Sequence, residues 1–325
     1  MKTNNHKSNV RKKTCVKNSA LRSSTLLLTL AASSVYANQC ETVRFSDVGW
    51  TDITATTAVT TQVLKGLGYQ TSTQLLSVPV TYSSMANQDI DVFLGNWMPT
   101  MEADIAKYHQ DGSVETVRAN LEGAKYTLAV PKYVYEAGVR SFADLSKFED
   151  ELRGRIYGIE PGNDGNRLIQ DMIDKNAFDL KAFRLVESSE AGMMSQVKRA
   201  VKREQWIAFL GWAPHPMNSN FDMVYLDGGD DYFGPNYGGA SVYTNVRQNY
   251  LQECSNVGQL LQNLSFSLEM ENELMGSILN DNAKPDAAAK AWLKANPEVL
   301  NQWLKKVTTR DGADATQAVK AYLDI

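Results

Sequence analysis

Residues 206–217, Trp206-Ile207-Ala208-Phe209-Leu210-Gly211-Trp212-Ala213-Pro214-His215-Pro216-Met217, carry an apolar run that ends in a Gly-Trp pair and then two prolines. Ile207 to Leu210, bounded by turn formers, reads as a strand buried on both faces. Residues 91–101 repeat the ending: Val92-Phe93-Leu94 runs into Gly95-Asn96-Trp97 and then Pro99. A tryptophan at a strand's exit is poorly placed to fill the interior of a sheet. One such residue alone is ordinary core or hinge packing; the same ending on two strands points to a shared site. In open α/β sheets that site lies outside the carboxyl ends of the strands.

Working outward, short apolar strands alternate with helical patterns. Thr42 to Val48 alternates as a strand, Asp52 to Leu64 follows as a helix that stops at Gly66 and Gly68, and strands near Gln74-Leu75-Leu76 and at Val92-Phe93-Leu94 complete a βαβαβ unit. The alternation restarts after Gly123, with strands at Tyr126–Val130, Arg155–Ile159, Phe183–Val186 and Ile207–Leu210 and helices at Arg167–Lys175 and Ala191–Lys202. Ala240–Tyr243 then reads as a strand leading to a helical tail from Val257, with Trp292 and Trp303 in its core. The expected fold is α/β, in two lobes that are each a mixed, mostly parallel sheet flanked by helices. Residues 38–122 and 238–325 form a discontinuous lobe 1 and residues 123–237 form lobe 2, with the ligand cleft between them.

The first 37 residues stand apart. Seven basic residues, unopposed by any acid, precede Thr25 to Ala32, and Val35-Tyr36-Ala37 offers small residues at a cleavage site. This is the pattern of a secretory signal peptide cut after Ala37, and its apolar run is too short to span a bilayer. The mature chain is expected in the periplasm, with no lipid anchor. Loss of those seven basic residues, from 33 against 37 acids, takes the net charge from −4 to −11. So acidic a chain, without a basic stripe, is a poor nucleic-acid binder. Cys15 leaves with the leader; Cys40 and Cys254 read as one disulfide in an oxidising compartment, or as two separate buried thiols.

Trp50, in Asp47-Val48-Gly49-Trp50-Thr51-Asp52, also follows a strand. Three indoles facing one cleft suit an ion whose charge is spread over methyl groups, because the ring faces are negative and the methyls bury against carbon. Each ring contributes about 0.5–2 kcal/mol when desolvated.

These stretches, with Gly123-Ala124-Lys125-Tyr126, Val130-Pro131 and Glu160-Pro161-Gly162-Asn163-Asp164-Gly165-Asn166, closely resemble the periplasmic choline-binding proteins of bacterial ABC importers, within the wider group of quaternary-amine receptors. The resemblance covers essentially the whole mature chain. It implies an aromatic box of Trp50, Trp97, Tyr126 and Trp212 around a trimethylammonium group, with Asp52 and Asn163 on the hydroxyl end. It also implies a Cys40–Cys254 disulfide and a type II-like binding-protein fold.

The polar positions have simpler readings as well. Asp52 opens a helix, where a carboxylate is favourable as a cap, and Asn163 sits in a glycine-flanked turn. That turn lacks the GKS or GKT ending of a nucleotide loop. His215, between prolines, reads as a rigid-loop residue without a second metal ligand. Tyr232, Phe233 and Tyr237 line the cleft rim or pack the crossover. The expected function is non-enzymatic capture of choline by a monomeric receptor, without cofactor, for delivery to an inner-membrane permease. A glycine betaine or carnitine receptor is the alternative ligand class. A carbohydrate-active enzyme would stack sugars on the same indoles, and needs a carboxylate pair such as Asp47 with Asp52.

Overall fold

Thr42–Asp47 forms strand β1 with Val43 and Phe45 fully buried, in a computed structural model that describes residues 40–325. The signal peptide expected over residues 1–37 lies outside the described residues. Helix α1 (Thr51–Gly66) follows, then β2 (Gln70–Leu75), α2 (Val78–Ala86), β3 (Val92–Met98) and α3 (Glu102–Gln110). Next come β4 (Val114–Pro131), β5 (Arg155–Tyr157), α4 (Asp164–Asp174), β6 (Arg184–Val186), α5 (Glu190–Lys202), β7 (Ala208–Ala213), β8 (Met223–Tyr225) and β9 (Gly239–Arg247).

The strands make one sheet in the order β2-β1-β3-β9-β4-β7-β5-β6, with β8 beside β4. Each end of the sheet is a parallel triplet: β2 and β3 flank β1, and β6 and β7 flank β5. Between them runs the antiparallel pair β9 and β4. The two parallel units read from the sequence are therefore present but share a continuous sheet. What joins them is β4, whose first part pairs with β9 and whose last part pairs with both β7 and β8. Its register slips between Thr116 and Arg118, between Ala119 and Leu121, and between Leu121 and Ala124. Such bulges turn residues two apart to different faces, Arg118 and Glu122 exposed and Asn120 between them buried, so the first part of β4 does not follow the one-face pattern of an ordinary strand.

Helix α1 is buried on nearly every side despite its six threonines. Three of their hydroxyls are satisfied within the helix: Thr56 Oγ1 donates to the Asp52 carbonyl, Thr60 to that of Thr56, and Thr61 to that of Ala58. The C-terminal helices Leu268–Leu279, Pro285–Ala295 and Ala315–Leu323 pack around it. In this tail Trp303 is buried edge-on against Phe266, while Trp292 is half-buried and donates to Glu273. A disulfide joins Cys40 to Cys254, with their Cα atoms 5.5 Å apart, and so ties the start of β1 to the C-terminal layer. Among the described residues, no helix is long and apolar enough to cross a membrane.

Candidate functional site

The paired strand endings meet. Gly95 lets Ile53 of α1 lie where a Cβ would come within 2.7 Å of its side chain, and Gly211 similarly accommodates Ala129 at 2.9 Å. With the backbone packed that closely, the following Trp97 and Trp212 are delivered at the sheet's rim. Both endings finish in cis X–Pro peptides, Met98–Pro99 and Ala213–Pro214. Gly165 leaves the room that the Tyr126 hydroxyl fills.

Trp50, Asp52, Trp97, Tyr126, Asn163 and Trp212 all line one cavity of about 270 Å³ including its mouth, completed by Ile159 and Asp164. Trp97 and Tyr126 stand at 60° with centroids 5.9 Å apart, and Tyr126 meets Trp212 at 83° and 6.4 Å. Phe233 braces Tyr126 edge-on at 5.8 Å from outside the cavity. Tyr232 packs on Phe178, and Tyr237 lies on the surface under Lys125. These walls come from both ends of the sheet, with Tyr126 of β4 between them.

Each indole is anchored by its ring nitrogen or its backbone. Trp50 Nε1 donates to Glu160 Oε1 at 2.6 Å, and Trp97 Nε1 to Asp52 Oδ2 at 3.1 Å. Trp212 is held by the Asn218 amide, which donates to its carbonyl oxygen, and by the His215 ring at 4.8 Å. His215 is more than a loop residue. Met217 N–H donates to its Nδ1, so its proton sits on Nε2 and points at Glu190 Oε1, 3.2 Å away.

Asp52 is 1% exposed, and its Oδ1 has no hydrogen-bond partner. It is the second residue of α1, and its Oδ2 accepts from Trp97 Nε1. Burial, reinforced by the negative charge of Glu190, pushes its carboxyl up to about 7, against the bonds from the Ile53 amide and Trp97. Asp164 is fully buried, with Oδ2 likewise unpartnered, and burial raises it to about 6, helped by the charge of Asp104. Glu160, half-buried, is lifted to about 7 chiefly by burial.

Asn163 caps α4: its Oδ1 accepts from the Asn166 amide at 3.0 Å and from the Tyr126 hydroxyl at 2.9 Å, and its Nδ2 donates to Asp164 Oδ1 at 3.0 Å. Its carbonyl oxygen is thus already engaged. The residues that sequence reasoning missed are Asp164, Ile159, Glu160 and Glu190. Asp164 and Glu190 each open a helix, where an acid reads as a cap, so no local signal distinguishes them. Asp47 does not line the cavity; it accepts from Thr54 Oγ1 and Gly49 N–H.

The cavity can therefore enclose a small cation with apolar substituents and accept a hydrogen bond from its tail. Residues 41–295 match the family described as the substrate binding domain of ABC-type glycine betaine transport systems, and the chain belongs to that family. An ABC-transporter choline binding protein solved with choline is 65% identical, with a TM-score of 0.87 over 88% of this chain and 99% of that one. The unliganded semi-closed form of an ABC-transporter choline binding protein, also 65% identical, gives 0.82 over 88% of this chain and 100% of that one. The glycine betaine/carnitine transport binding protein GbuC of Listeria monocytogenes serotype 1/2a is 30% identical over 163 residues, half of this chain and 53% of that protein.

Proposed function

We propose that this protein captures choline in the aromatic cavity and hands it to an ABC permease. The observation that carries the reading is the pairing, in one cavity, of three indoles and a phenol with the unpartnered, buried Oδ1 of Asp52. The rings offer negative faces to a trimethylammonium head. The carboxylate offers the hydroxyl tail a charge-assisted acceptor. The 65% identical protein solved with choline supports the same ligand.

Glycine betaine is the second reading, favoured by the family's description and by GbuC. The buried Asp52 and Asp164 oppose a ligand that carries its own carboxylate, which ranks choline first. The basic leader and the Val35-Tyr36-Ala37 site support export to the periplasm, where the mature chain acts as a monomeric, non-enzymatic receptor.

Titration calorimetry against choline, acetylcholine, glycine betaine and maltose tests this. Choline should bind more tightly than betaine, and maltose should give no heat. Binding of maltose without choline would overturn the reading.

A further inference from the structure

A second pocket lies at the other end of β5 and β7. The aromatic cavity takes Ile159 from beyond the end of β5 and Trp212 from near the end of β7, whereas Arg153 and Arg155 precede or open β5, and Gln205 and Trp206 precede β7. This pocket, about 810 Å³ including its open mouth, is walled by Arg153, Arg155, Arg199 and Arg203 together with Tyr157 and Trp206. No carboxylate is among its lining residues. Among the described residues, none of the four arginines enters an ion pair. The acids nearest in sequence, Glu149, Asp150, Glu151 and Glu204, are all exposed.

This is an unusual concentration for a chain with 33 basic and 37 acidic residues. Four guanidinium groups around one concavity repel each other unless an anion sits among them. Arg199 has a local explanation, since it lies in the last turn of α5, where a cation complements the helix dipole. Arg155 has none. It opens a strand beside Arg184, a second cation in register, and its Nε is buried without a hydrogen-bond partner. An unsatisfied buried donor on a charged group is costly, and a negative charge in the pocket beside it offsets that cost.

We propose that this pocket binds a phosphate-bearing anion, held by the guanidinium groups of Arg153, Arg155, Arg199 and Arg203. The planar, weakly hydrated guanidinium fork matches phosphate oxygens in pairs, and several forks can share one tetrahedral group. Trp206 and Tyr157 line the same concavity, beside whatever carries the phosphate. The acidity of the rest of the chain repels an extended polyanion, so the ligand is compact. Two sources supply that chemistry: a soluble phosphate ester, or the headgroup of an anionic lipid at the membrane surface.

The experiment has two arms on the intact protein. One is calorimetry with inorganic pyrophosphate; the other is flotation with phosphatidylglycerol vesicles, with phosphatidylethanolamine vesicles as the neutral control. Binding is expected in at least one arm, and which arm responds identifies the source. Arg155→Gln and Arg199→Gln should each weaken it by about tenfold, as expected for loss of a charge-assisted contact, while Lys305→Gln leaves it unchanged and all three bind choline as before. Arg199 is exposed, so its variant still decides the matter if Arg155→Gln does not fold. No binding in either arm, or equal weakening by Lys305→Gln, overturns the proposal.

Discussion

Thr51 and Glu190, 139 positions apart, are joined by two hydrogen bonds: Thr51 N–H donates to Glu190 Oε2 at 2.8 Å, and Thr51 Oγ1 to Oε1 at 2.5 Å. Thr51 follows β1 and Glu190 follows β6, strands near opposite ends of the sheet. The Thr51 amide is one of the donors that a helix start leaves unpaired, and a carboxylate from the far side satisfies it. Trp50 with Glu160, and Arg167 with Asp104 and the Thr100 carbonyl, bridge the same gap. Glu190→Ala should therefore weaken choline binding by about 1–3 kcal/mol, by removing a buried charged acceptor that holds the cavity shut. Calorimetry checks it; unchanged affinity would make Glu190 a local packing residue.

Trp97→Ala or Trp212→Ala should each weaken choline by about 1–3 kcal/mol, from lost cation–π attraction and lost methyl burial. Phenylalanine at either position should retain a good part of the affinity. The affinity should also vary little with salt, because screening acts mainly on exposed charges. If neither alanine variant changes the titration, the indoles serve only to pack the fold.

Asp52→Asn should shrink the choline-to-betaine affinity ratio. The Asn carbonyl can still accept from Trp97 Nε1, as Oδ2 does now, but the other atom becomes a donor where an acceptor stood. Choline should lose about 1–3 kcal/mol with its charge-assisted bond, while betaine loses less or gains. Paired titrations at one pH measure the ratio, and a constant ratio would put selectivity elsewhere, with Asn163 the next position to vary.

Choline affinity should rise with pH between 5.5 and 7.5, on the order of tenfold, if Asp52 must be ionised to meet the cation, since its carboxyl lies at about 7. The stability of the unliganded protein runs the other way. Asp52 and Asp164 titrate above the unfolded carboxylate value of about 4, so the stability linked to them is present below that value and is lost as pH rises through 6 to 7. Thermal melts with and without choline across this range should diverge as pH increases. Parallel curves would mean that neither carboxylate answers to the ligand.

Removing the disulfide by Cys40→Ser should cost about 2–5 kcal/mol of stability, while choline affinity stays nearly constant, because neither cysteine lines the cavity. A denaturant titration beside calorimetry separates the two effects.

Much of the site was legible because its aromatic members stand at strand ends, where apolar runs, glycines and prolines mark the chain's punctuation. Trp97 and Trp212 announce themselves this way. Asp164 and Glu190 do not, since a helix-opening acid has the same local pattern whether it faces water or a cavity; only the burial of both shows otherwise. The joined sheet was hidden by the bulges of β4, which leave Arg118 and Glu122 exposed but bury Asn120 between them, so that residues two apart do not share a face. The arginine pocket draws on residues fifty positions apart, Arg153 to Arg203, and no short sequence window contains it.

The cavity is assembled from Trp50, Asp52 and Trp97 on one side, Ile159, Asn163, Asp164 and Trp212 on the other, and Tyr126 between. Neither side alone encloses a cation, so the enclosure depends on the two sides standing together as they do here. Whatever draws α1 away from the start of α5 breaks the Thr51–Glu190 bonds and dismantles the box in the same movement. Ejecting the passenger then takes mechanical work on the receptor and no competition for the ligand itself.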